Sequence, residues 1–558
     1  MRWDRVWLRG WRPYALLAAL CLALYLPGIA AIPPLDRDEA RFAQASRQML
    51  ETGDFLRIRF QDEARNKKPA GIYWLQAASV AVFSTPESTA IWPYRLPSLV
   101  GALGAVLLTF ALGRALFARD SEGPPARQAA LLAAILLGSA IMVVAEAHIA
   151  KTDAALLSAI VAAQGALGLI YMRARAGRPA VPAIAALFWI ATVAAILLKG
   201  PVGPAIAALT IVTLSIADRD WRWLRGLYPA AGIIFVALAI VPWLIAMQRA
   251  TEGAFLAGSL GEDFWSKLIG AQESHGAPPF SYLLLAMATF WPSSLMLVPA
   301  LAHAWRRRTF PAERFLLAWL VPAWIVLELL PTKLPHYVLP LYPALALLTG
   351  AALAEGARAA APSWLRYADI AAKTLWAMVT LALASALIIL PIRFGEGFSA
   401  AGIMGAAAML VLATALLYRW PRPPFAAAAS VALSMAFVIP AETAVLPGLD
   451  RLWLSRSAAA LVAKHPPAAG APLVAIGYGE PSLVFLLGGH VRLAVPDAAT
   501  EILAGGGAAL VSNRDDAMFQ QSLSTRGLKA RLLGTVAGFD YSNGKRLELT
   551  LYNVGHAK

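Results

Sequence analysis

The sequence predicts a polytopic α-helical membrane protein that ends in a small α/β domain. The chain has 558 residues, of which 59% are hydrophobic and 15% are charged, and its mean hydropathy is +0.61. About thirteen apolar stretches fill residues 13–443, and charged residues gather in the short gaps between them. A soluble chain of this length would be far less apolar. Water-soluble fold classes are therefore excluded for most of the chain.

Most of the apolar stretches approach the twenty or so residues that cross about 30 Å of hydrocarbon, and several shorter ones are expected to tilt. The predicted spans are 13–33, 95–117, 128–147, 153–172, 180–198, 200–217, 228–248, 280–302, 314–331, 336–354, 370–391, 400–418 and 424–443.

The gaps between the spans alternate in charge, and this alternation predicts the orientation. Clustered arginines, such as Arg173/Arg175/Arg178, fill one set of gaps, and nearly single cations fill the other set: Lys151, Lys199, Lys333 and Arg393. Cytoplasmic loops are enriched in Lys and Arg. The N-terminus is therefore expected in the cytoplasm and the C-terminal tail in the periplasm of a bacterial inner membrane. The net charge of +15 lies largely in inside loops, so it indicates lipid head groups rather than nucleic acid.

The N-terminal region and the cysteine content restrict the chain further. Cys21 is the single cysteine, which excludes an intramolecular disulfide and a cysteine-based metal site. Basic residues precede the apolar segment Tyr14–Ile32 as in a signal peptide, but no convincing small-residue cleavage site follows. We expect a retained first helix.

Two outer loops, 34–94 and 249–279, are too long to be simple connectors. In the first, Asp38–Leu50 and Ile72–Phe83 predict two helices at the membrane interface. After Pro447 the pattern changes to one helix and several short strands with glycine-rich turns. The sequence thus predicts a transmembrane domain over 1–445 and a periplasmic α/β domain over 446–558. The expected elements of the latter are a helix at 450–464 and strands at 473–478, 484–487, 491–494, 509–512 and 547–552.

Acidic residues are rare, and the densest group, Asp36-Arg37-Asp38-Glu39, directly follows the first span on its outer side. One interpretation is a helix cap, because carboxylates favour a helix N-terminus. The functional interpretation is a general base, a sugar ligand or a metal ligand at the membrane surface.

Lys67 and Lys68 lie at the outer boundary against the positive-inside bias. A lipid phosphate would explain them, since lysine is a mobile point charge suited to phosphate. The alternative is unspecific snorkelling to head groups.

Three further outer turns carry ionisable residues: Glu146–Asp153, Lys199–Pro201 and Pro331–Tyr337. An ionisable residue at the edge of a span indicates function by default. On the predicted topology these turns and the first loop face the same side. We therefore expect one cavity ringed by Lys68, Lys151, Lys199, Lys333, Asp38 and Asp153.

A metal site is a separate hypothesis. His275, in the second outer loop, offers an imidazole, and Glu63 or the pair Glu146/His148 offers partners that suit Zn²⁺. No spacing here is diagnostic, and the alternative is a solvated loop histidine.

The same residues carry a resemblance to a known family. The stretches Leu35–Ala43, Met49–Phe55 and Lys67-Lys68-Pro69, with Lys199-Gly200 and Lys333–Tyr337, are similar to outer motifs of the 4-amino-4-deoxy-L-arabinose transferases that modify lipid A. These enzymes belong to the wider membrane glycosyltransferases of the protein O-mannosyltransferase type. The resemblance covers about the first 350 residues.

The resemblance implies a C-type glycosyltransferase bundle that moves an aminosugar from undecaprenyl phosphate to a lipid A phosphate, which alters outer-membrane charge and polymyxin resistance. The implied chemistry requires no cofactor. A divalent metal stays open, and we expect a monomer. The implied catalytic residues are Asp38, Glu39 and Asp153. The implied phosphate-binding residues are Arg41, Lys67, Lys68, Lys151, Lys199, Lys333, His336 and Tyr337, and the metal candidates are His275 and Glu63.

Other functions compete with this one. A related enzyme could move another sugar from a polyprenyl phosphate to protein Ser/Thr, whose hydroxyl needs deprotonation. A lipid-linked sugar transporter without catalysis would favour inverted repeats and broken midplane helices, and the sequence has neither. A scaffold role would leave the long first loop unexplained.

Overall fold

The structure, a computed structural model, describes residues 10–118, 124–259, 276–356, 363–418 and 423–556. Long apolar helices dominate it. Within these ranges, eight helices are long and apolar enough to cross a membrane, or nine if one bent pair is counted as a single candidate span. The chain is therefore a polytopic helical membrane protein.

The apolar helices run through most of the chain, interrupted by the first outer loop. They are α1 (Arg12–Tyr25), α4 (Trp92–Leu116), α5 (Pro124–Gly138), α6 (Ile141–Ala147), α7 (Asp153–Arg175), α8 (Pro182–Lys199), α9 (Val202–Asp218), α10 (Pro229–Ala250), α11 (Ala254–Leu256), α12 (Ser281–Thr289), α13 (Leu297–Arg306), α14 (Pro311–Leu329), α15 (Tyr342–Ala354), α16 (Ser363–Phe394), α17 (Ala400–Tyr418) and α18 (Pro423–Pro440).

Several predicted spans are shorter or broken in the structure. The expected span 13–33 is helical only to Tyr25, because Pro27 and Gly28, which has a positive φ, do not continue a helix. The expected span 280–302 is split into α12 and α13. The expected span 128–147 bends by 60° between α5 and α6, where the Ile141 amide donates to the Trp291 carbonyl at 2.8 Å.

Helix α7 is central to the bundle and is buried along most of its length. It packs against α4 and α8. The contact with α4 is close because Gly101 has no side chain: a Cβ there would lie 2.6 Å from the Cα of Ala155. This packing fixes the N-terminus of α7, where Asp153 begins the helix.

The first outer loop contains the two predicted helices, α2 (Asp38–Thr52) and α3 (Gly71–Phe83), with a short hairpin of β1 (Arg59–Phe60) and β2 (Glu63–Ala64) between them. Helix α2 ends at Gly53, whose φ of 70° suits a left-handed C-cap. Its small apolar residues Ala40 and Ala43 are fully buried. Helix α2 is therefore packed within the protein rather than lying on the lipid surface alone.

The C-terminal unit, residues 454–556, combines helices with a five-stranded sheet. Its elements are α19 (Leu454–Lys464), β3 (Leu473–Ile476), α20 (Pro481–Leu486), β4 (Arg492–Leu493), α21 (Pro496–Ile502), β5 (Gly507–Ser512), α22 (Asp516–Thr525), β6 (Leu528–Asp540) and β7 (Lys545–His556). The strand order in the sheet is β4-β3-β5-β7-β6. Strands β3, β4 and β5 are parallel, and β7 is antiparallel to both of its neighbours.

One sequence prediction for this unit is wrong, and its longest strand is missing from the predictions. Residues 484–487 lie in α20 and its C-cap rather than in a strand, since a short apolar run after a proline fits a buried helix equally well. The longest strand, β6, was not predicted. Its alternation is obscured by Gly534, where the register with β7 shifts, and by charged residues on an edge strand.

The C-terminal unit contacts the first outer loop directly. The buried Arg47 donates to the Phe485 carbonyl at 2.7 Å, and its guanidinium lies 4.2 Å from the centre of the Phe485 ring. Gln61 Nε2 donates to the Val491 carbonyl at 2.6 Å. The unit is thereby held against α2 and the hairpin.

Candidate active site

Asp153 is the centre of a buried cluster of charged side chains. Its Oδ1 lies 2.5 Å from Lys199 Nζ, and its Oδ2 lies 3.6 Å from Lys151 Nζ. Helix α8 ends at Lys199 and α7 begins at Asp153, so the two helix ends bring opposite charges together. One carboxylate thus holds two lysines.

Lys151 has a second anionic partner. Its Nζ lies 2.9 Å from Glu146 Oε1, while the buried Glu146 Oε2 has no hydrogen-bond partner among the residues that the structure describes. Burial alone would lower the pKa of Lys151, but the charges of Glu146 and Asp153 outweigh it and raise that pKa above its usual range. Lys151 is therefore a permanent cation with a fixed position.

His336 and Tyr337 join the cluster from the turn after α14. Lys151 Nζ donates to His336 Nδ1 at 3.4 Å. Since an ammonium has no acceptor, this leaves the imidazole proton on Nε2, 3.9 Å from Asp153 Oδ2. Lys199 Nζ lies 5.4 Å from the centre of the Tyr337 ring, within cation–π range.

Asp38 borders this cluster from the first turn of α2. Its side chain is 63% exposed, and its Oδ1 lies 4.0 Å from the guanidinium of Arg65. Arg65 also donates to the Tyr73 hydroxyl at 3.2 Å. The negative charge of Asp38 also helps to raise the pKa of Lys151. Asp38 is thus the accessible carboxylate beside a buried set of ion pairs.

Lys68 contributes a further positive charge. Its side chain is half-buried, and its charge acts on the His336 imidazole. The cluster and its border carry four positive and three negative charges. The cations are Lys68, Lys151, Lys199 and Arg65, and the anions are Asp38, Glu146 and Asp153. These seven side chains have a net charge of +1, which favours an anionic ligand.

Glu39 does not reach the cluster, in contrast to the expectation of a catalytic role. Its carboxylate is fully buried and pairs with Arg95 through bonds of 2.8 and 2.9 Å. It also accepts the amides of Leu35 and Ala150, each at 2.8 Å. The bonds to Arg95 and Ala150 tie α2 to α4 and to the turn before α7, and the bond to Leu35 closes the start of α2. This geometry fits a structural anchor.

Other predicted site residues lie apart from these ion pairs. Lys333 donates to the carbonyls of Ala277 and Leu330, at 3.1 and 2.6 Å. Lys67 is exposed and Arg41 is half-buried. No ion pair of either residue is found among the described residues. The structure brings together only part of the expected ring of cations.

The metal hypothesis gains no support from the geometry. Glu63 is exposed on β2, and His275 lies outside the described residues. Within the ranges that the structure describes, no group of three or more His, Cys, Asp or Glu side chains could hold a metal.

Two arginines are missing from the sequence predictions: Arg65 beside Asp38 and Arg95 against Glu39. Arg95 is the first residue of the predicted span 95–117, and a charge at that edge is a recognisable signal. Arg65 lies in the first outer loop shortly before Lys67, and no sequence signal distinguishes it. Glu146 was named only within its turn and as a possible metal partner, because the sequence alone does not reveal its pairing with Lys151.

Comparison with known proteins now adds to this geometry. No family model matches the chain. The undecaprenyl phosphate-alpha-4-amino-4-deoxy-L-arabinose arabinosyl transferase of Pseudomonas paraeruginosa is 29% identical over 331 residues, which cover 58% of this chain and 56% of the relative. The chain thus matches little more than half the length of that relative.

Solved structures extend the likeness to nearly the whole chain. ArnT from Cupriavidus metallidurans, crystallised with undecaprenyl phosphate, superposes with a TM-score of 0.74 at 20% identity, over 96% of this chain and 97% of that one. The chain has the ArnT fold. An oligosaccharyltransferase from Archaeoglobus fulgidus is more distant, with a TM-score of 0.50 at 12% identity over 94% of this chain and 70% of that one. The resemblance stated from the sequence motifs is confirmed.

Proposed function

We propose that this protein transfers 4-amino-4-deoxy-L-arabinose from undecaprenyl phosphate to a phosphate of lipid A. The observation that carries the proposal is the cluster at Asp153, where Lys151, Lys199 and His336 converge beside the accessible Asp38. Its net positive charge suits a site that must hold two anionic lipids close to one another. The names of the similar proteins supply the donor and the sugar.

In the proposed reaction, an oxygen of the acceptor phosphate attacks the anomeric carbon of the sugar. The bond between that carbon and the oxygen of undecaprenyl phosphate breaks, and the leaving group takes the electron pair. The attacking phosphate is already an anion, so it needs little help from a general base. The main task of the site is to offset the charge that develops on the leaving phosphate.

Lys68 and Lys199 are proposed to bind that phosphate, with Arg41, Lys67 and Lys333 as further candidates. Lys151 is held by Glu146 and Asp153, so its proposed role is to fix the charge around His336 rather than to move toward a ligand.

Asp38 is proposed to pair with the ammonium group of the sugar or to align the acceptor. Asp153 is proposed to hold Lys199 in place. His336 and Tyr337 would line the same pocket. For Glu39 we propose an anchoring role.

The finer topology belongs to the same proposal. We propose thirteen spans with the N-terminus in the cytoplasm, and a monomer that acts in the bacterial inner membrane. The division falls between 445 and 446, and the domain at 446–558 lies in the periplasm. The cluster, the first outer loop and the C-terminal unit would then share the periplasmic side.

The proposal is tested by mass spectrometry of lipid A from cells that lack this chain. Complementation with the wild type is expected to restore the mass of one or two aminopentose units per lipid A. Asp38→Ala and Lys68→Ala, at equal membrane levels, are expected to restore neither. Asp62→Ala and Arg59→Ala change exposed charges of the same loop and serve as controls that restore both. If lipid A stays unmodified in every strain under conditions that induce the modification, lipid A is not the acceptor. Protein glycosylation then becomes the leading alternative.

A further inference from the structure

The residue before Asp38 has an unusual backbone. Arg37 has φ 64° and ψ −100°, outside the regions that L-residues favour. A non-glycine residue keeps such a conformation only when its surroundings hold it there. Because Arg37 directly precedes the first residue of α2, its backbone angles set the direction in which Asp38 leaves the chain.

The C-terminal unit supplies much of what holds this segment. The Tyr541 hydroxyl accepts the Asp36 amide at 2.7 Å. The Arg37 guanidinium donates to the Ser542 carbonyl at 2.6 Å, and the Ser482 amide donates to Asp36 Oδ1 at 3.2 Å. These contacts join residues that are more than 400 positions apart in the chain.

The turn that makes two of these contacts, residues 540–544 between β6 and β7, is itself well fixed. Asp540 Oδ1 accepts the amides of Ser542 and Asn543, at 3.1 and 3.2 Å. Glu480 accepts the Ser542 hydroxyl at 3.1 Å. The Tyr541 ring packs edge-on against Trp453, with the ring centres 6.1 Å apart. These contacts hold the turn in one conformation.

We infer that the β6–β7 turn of the C-terminal unit, through Tyr541 and Ser542, holds Arg37 in its strained conformation and so positions Asp38 at the charged cluster. This inference rests on the proposed function, since it gives Asp38 a place in the reaction. Tyr541 and Arg37 are positioning residues, because they act through Asp38. The C-terminal unit then contributes to the geometry of the active site.

The inference requires a specific pattern of kinetic effects. Tyr541→Phe removes the acceptor of the Asp36 amide but keeps the ring on Trp453. We expect kcat to fall on the order of fivefold, as for the loss of one hydrogen bond, with little change in the KM for the donor. Tyr552→Phe is the matched control: Tyr552 lies on β7, packs at a tilt against Phe519 and has its hydroxyl near Asp516.

A second pair of variants separates positioning from folding. Arg37→Ala removes the bond to the Ser542 carbonyl, whereas Arg37→Lys keeps a donor of similar length. We expect Arg37→Ala to lower kcat and Arg37→Lys to recover most of it, at equal amounts of folded protein in detergent. If Tyr541→Phe proves unable to fold, this pair decides the matter.

Hydrogen exchange gives a readout that does not depend on turnover. The amides of residues 35–41 are expected to exchange faster in Tyr541→Phe than in the wild type, and unchanged in Tyr552→Phe. Wild-type kcat in both Tyr541→Phe and Arg37→Ala would overturn the inference, whatever the exchange. If the wild type transfers no aminosugar to lipid A, the proposed function fails, and unchanged exchange in Tyr541→Phe would then overturn the positioning as well.

Discussion

Two neighbouring acidic residues, Asp38 and Glu39, have opposite environments. Asp38 is largely exposed beside Arg65, whereas Glu39 is fully buried against Arg95. The difference follows from the helix: consecutive residues of α2 point about 100° apart, so Asp38 is exposed beside Arg65 and Glu39 faces α4. A carboxylate that is exposed near fixed cations can meet a substrate, and one that is saturated with hydrogen bonds cannot.

This difference predicts the effect of Glu39→Gln. The change keeps the shape of the side chain and removes its charge, so the buried Arg95 loses the carboxylate that it contacts directly. Arg95 retains bonds to the carbonyls of Ile29, Ile32 and Pro33, which soften the loss. We expect a destabilisation of about 3 kcal/mol, measured by unfolding in detergent, with Asp62→Asn as an exposed control. Normal stability with abolished turnover would instead make Glu39 a catalytic group.

At the scale of elements, helix α2 connects the two parts of the chain. Its N-terminus carries Asp38 toward the cluster, and Arg47 further along binds the Phe485 carbonyl of the C-terminal unit. We call the contact between the C-terminal unit and residues 36–37 the joint. Three carboxylates lie around it: Asp36, Glu480 and Asp540. The positive charge that faces Glu480 comes from Arg37. A joint with more negative than positive charge is expected to respond to pH.

The direction of this pH dependence follows from the environment of Glu480. Burial, followed by the charges of Asp36 and Asp540, raises its pKa from 4.5 to about 7. Docking here means the binding of the C-terminal unit to the first outer loop. A carboxyl group whose pKa is higher in the docked state than in the undocked state favours docking while it is protonated. That contribution is lost as the pH rises from about 4.5 to 7, so docking is weaker at pH 8 than at pH 5. Burial likewise raises the pKa of Asp36, which acts in the same direction.

We therefore expect Glu480→Gln to reduce the difference in melting temperature between pH 5 and pH 8. The amide cannot ionise, so the variant should melt above the wild type at pH 8. Glu501→Gln, which alters an exposed pair with Arg526, should leave the pH dependence of the wild type intact. An unaltered pH dependence in Glu480→Gln would show that this carboxyl does not govern the joint.

At the scale of the whole molecule, the two ends of the bundle carry different charge arrangements. The proposed outer end holds the cluster at Asp153. At the opposite end of α7, Arg175 lies 3.8 Å from Asp218, which also accepts the Tyr171 hydroxyl at 2.7 Å. Opposite ends of one helix that crosses the bilayer must lie on opposite sides of the membrane, so the orientation of α7 fixes which side faces the substrates.

The orientation is open to a labelling experiment. Cys21 is fully buried, so introduced thiols can be read against it, or in a Cys21→Ser background. Lys529→Cys, in the C-terminal unit, is expected to react with an impermeant maleimide in intact spheroplasts. Arg219→Cys, just after α9, is expected to react only after permeabilisation. The reverse pattern would invert the proposed topology.

Much of the fold could be predicted from the sequence because burial in lipid imposes long apolar runs. The same constraint made the charged turns conspicuous, and Lys151, Lys199, Asp153 and His336 were singled out from their places between spans. The partners of these residues were less accessible. The bonds of Glu39 to Arg95 and of Lys151 to Glu146 depend on how helices rotate and pack, which hydropathy does not encode.

The sequence by itself determined the membrane class, the two helices of the first loop, the α/β character of the tail and the candidate ionisable residues, since each follows from local composition and periodicity. Only the tertiary structure decided that Asp38 is accessible while Glu39 is buried against Arg95, that Lys333 binds carbonyls, and that Tyr541 and Ser542 contact Asp36 and Arg37. Those contacts join residues far apart in the chain. They are fixed by packing between elements, and a pattern that repeats every few residues carries no record of them.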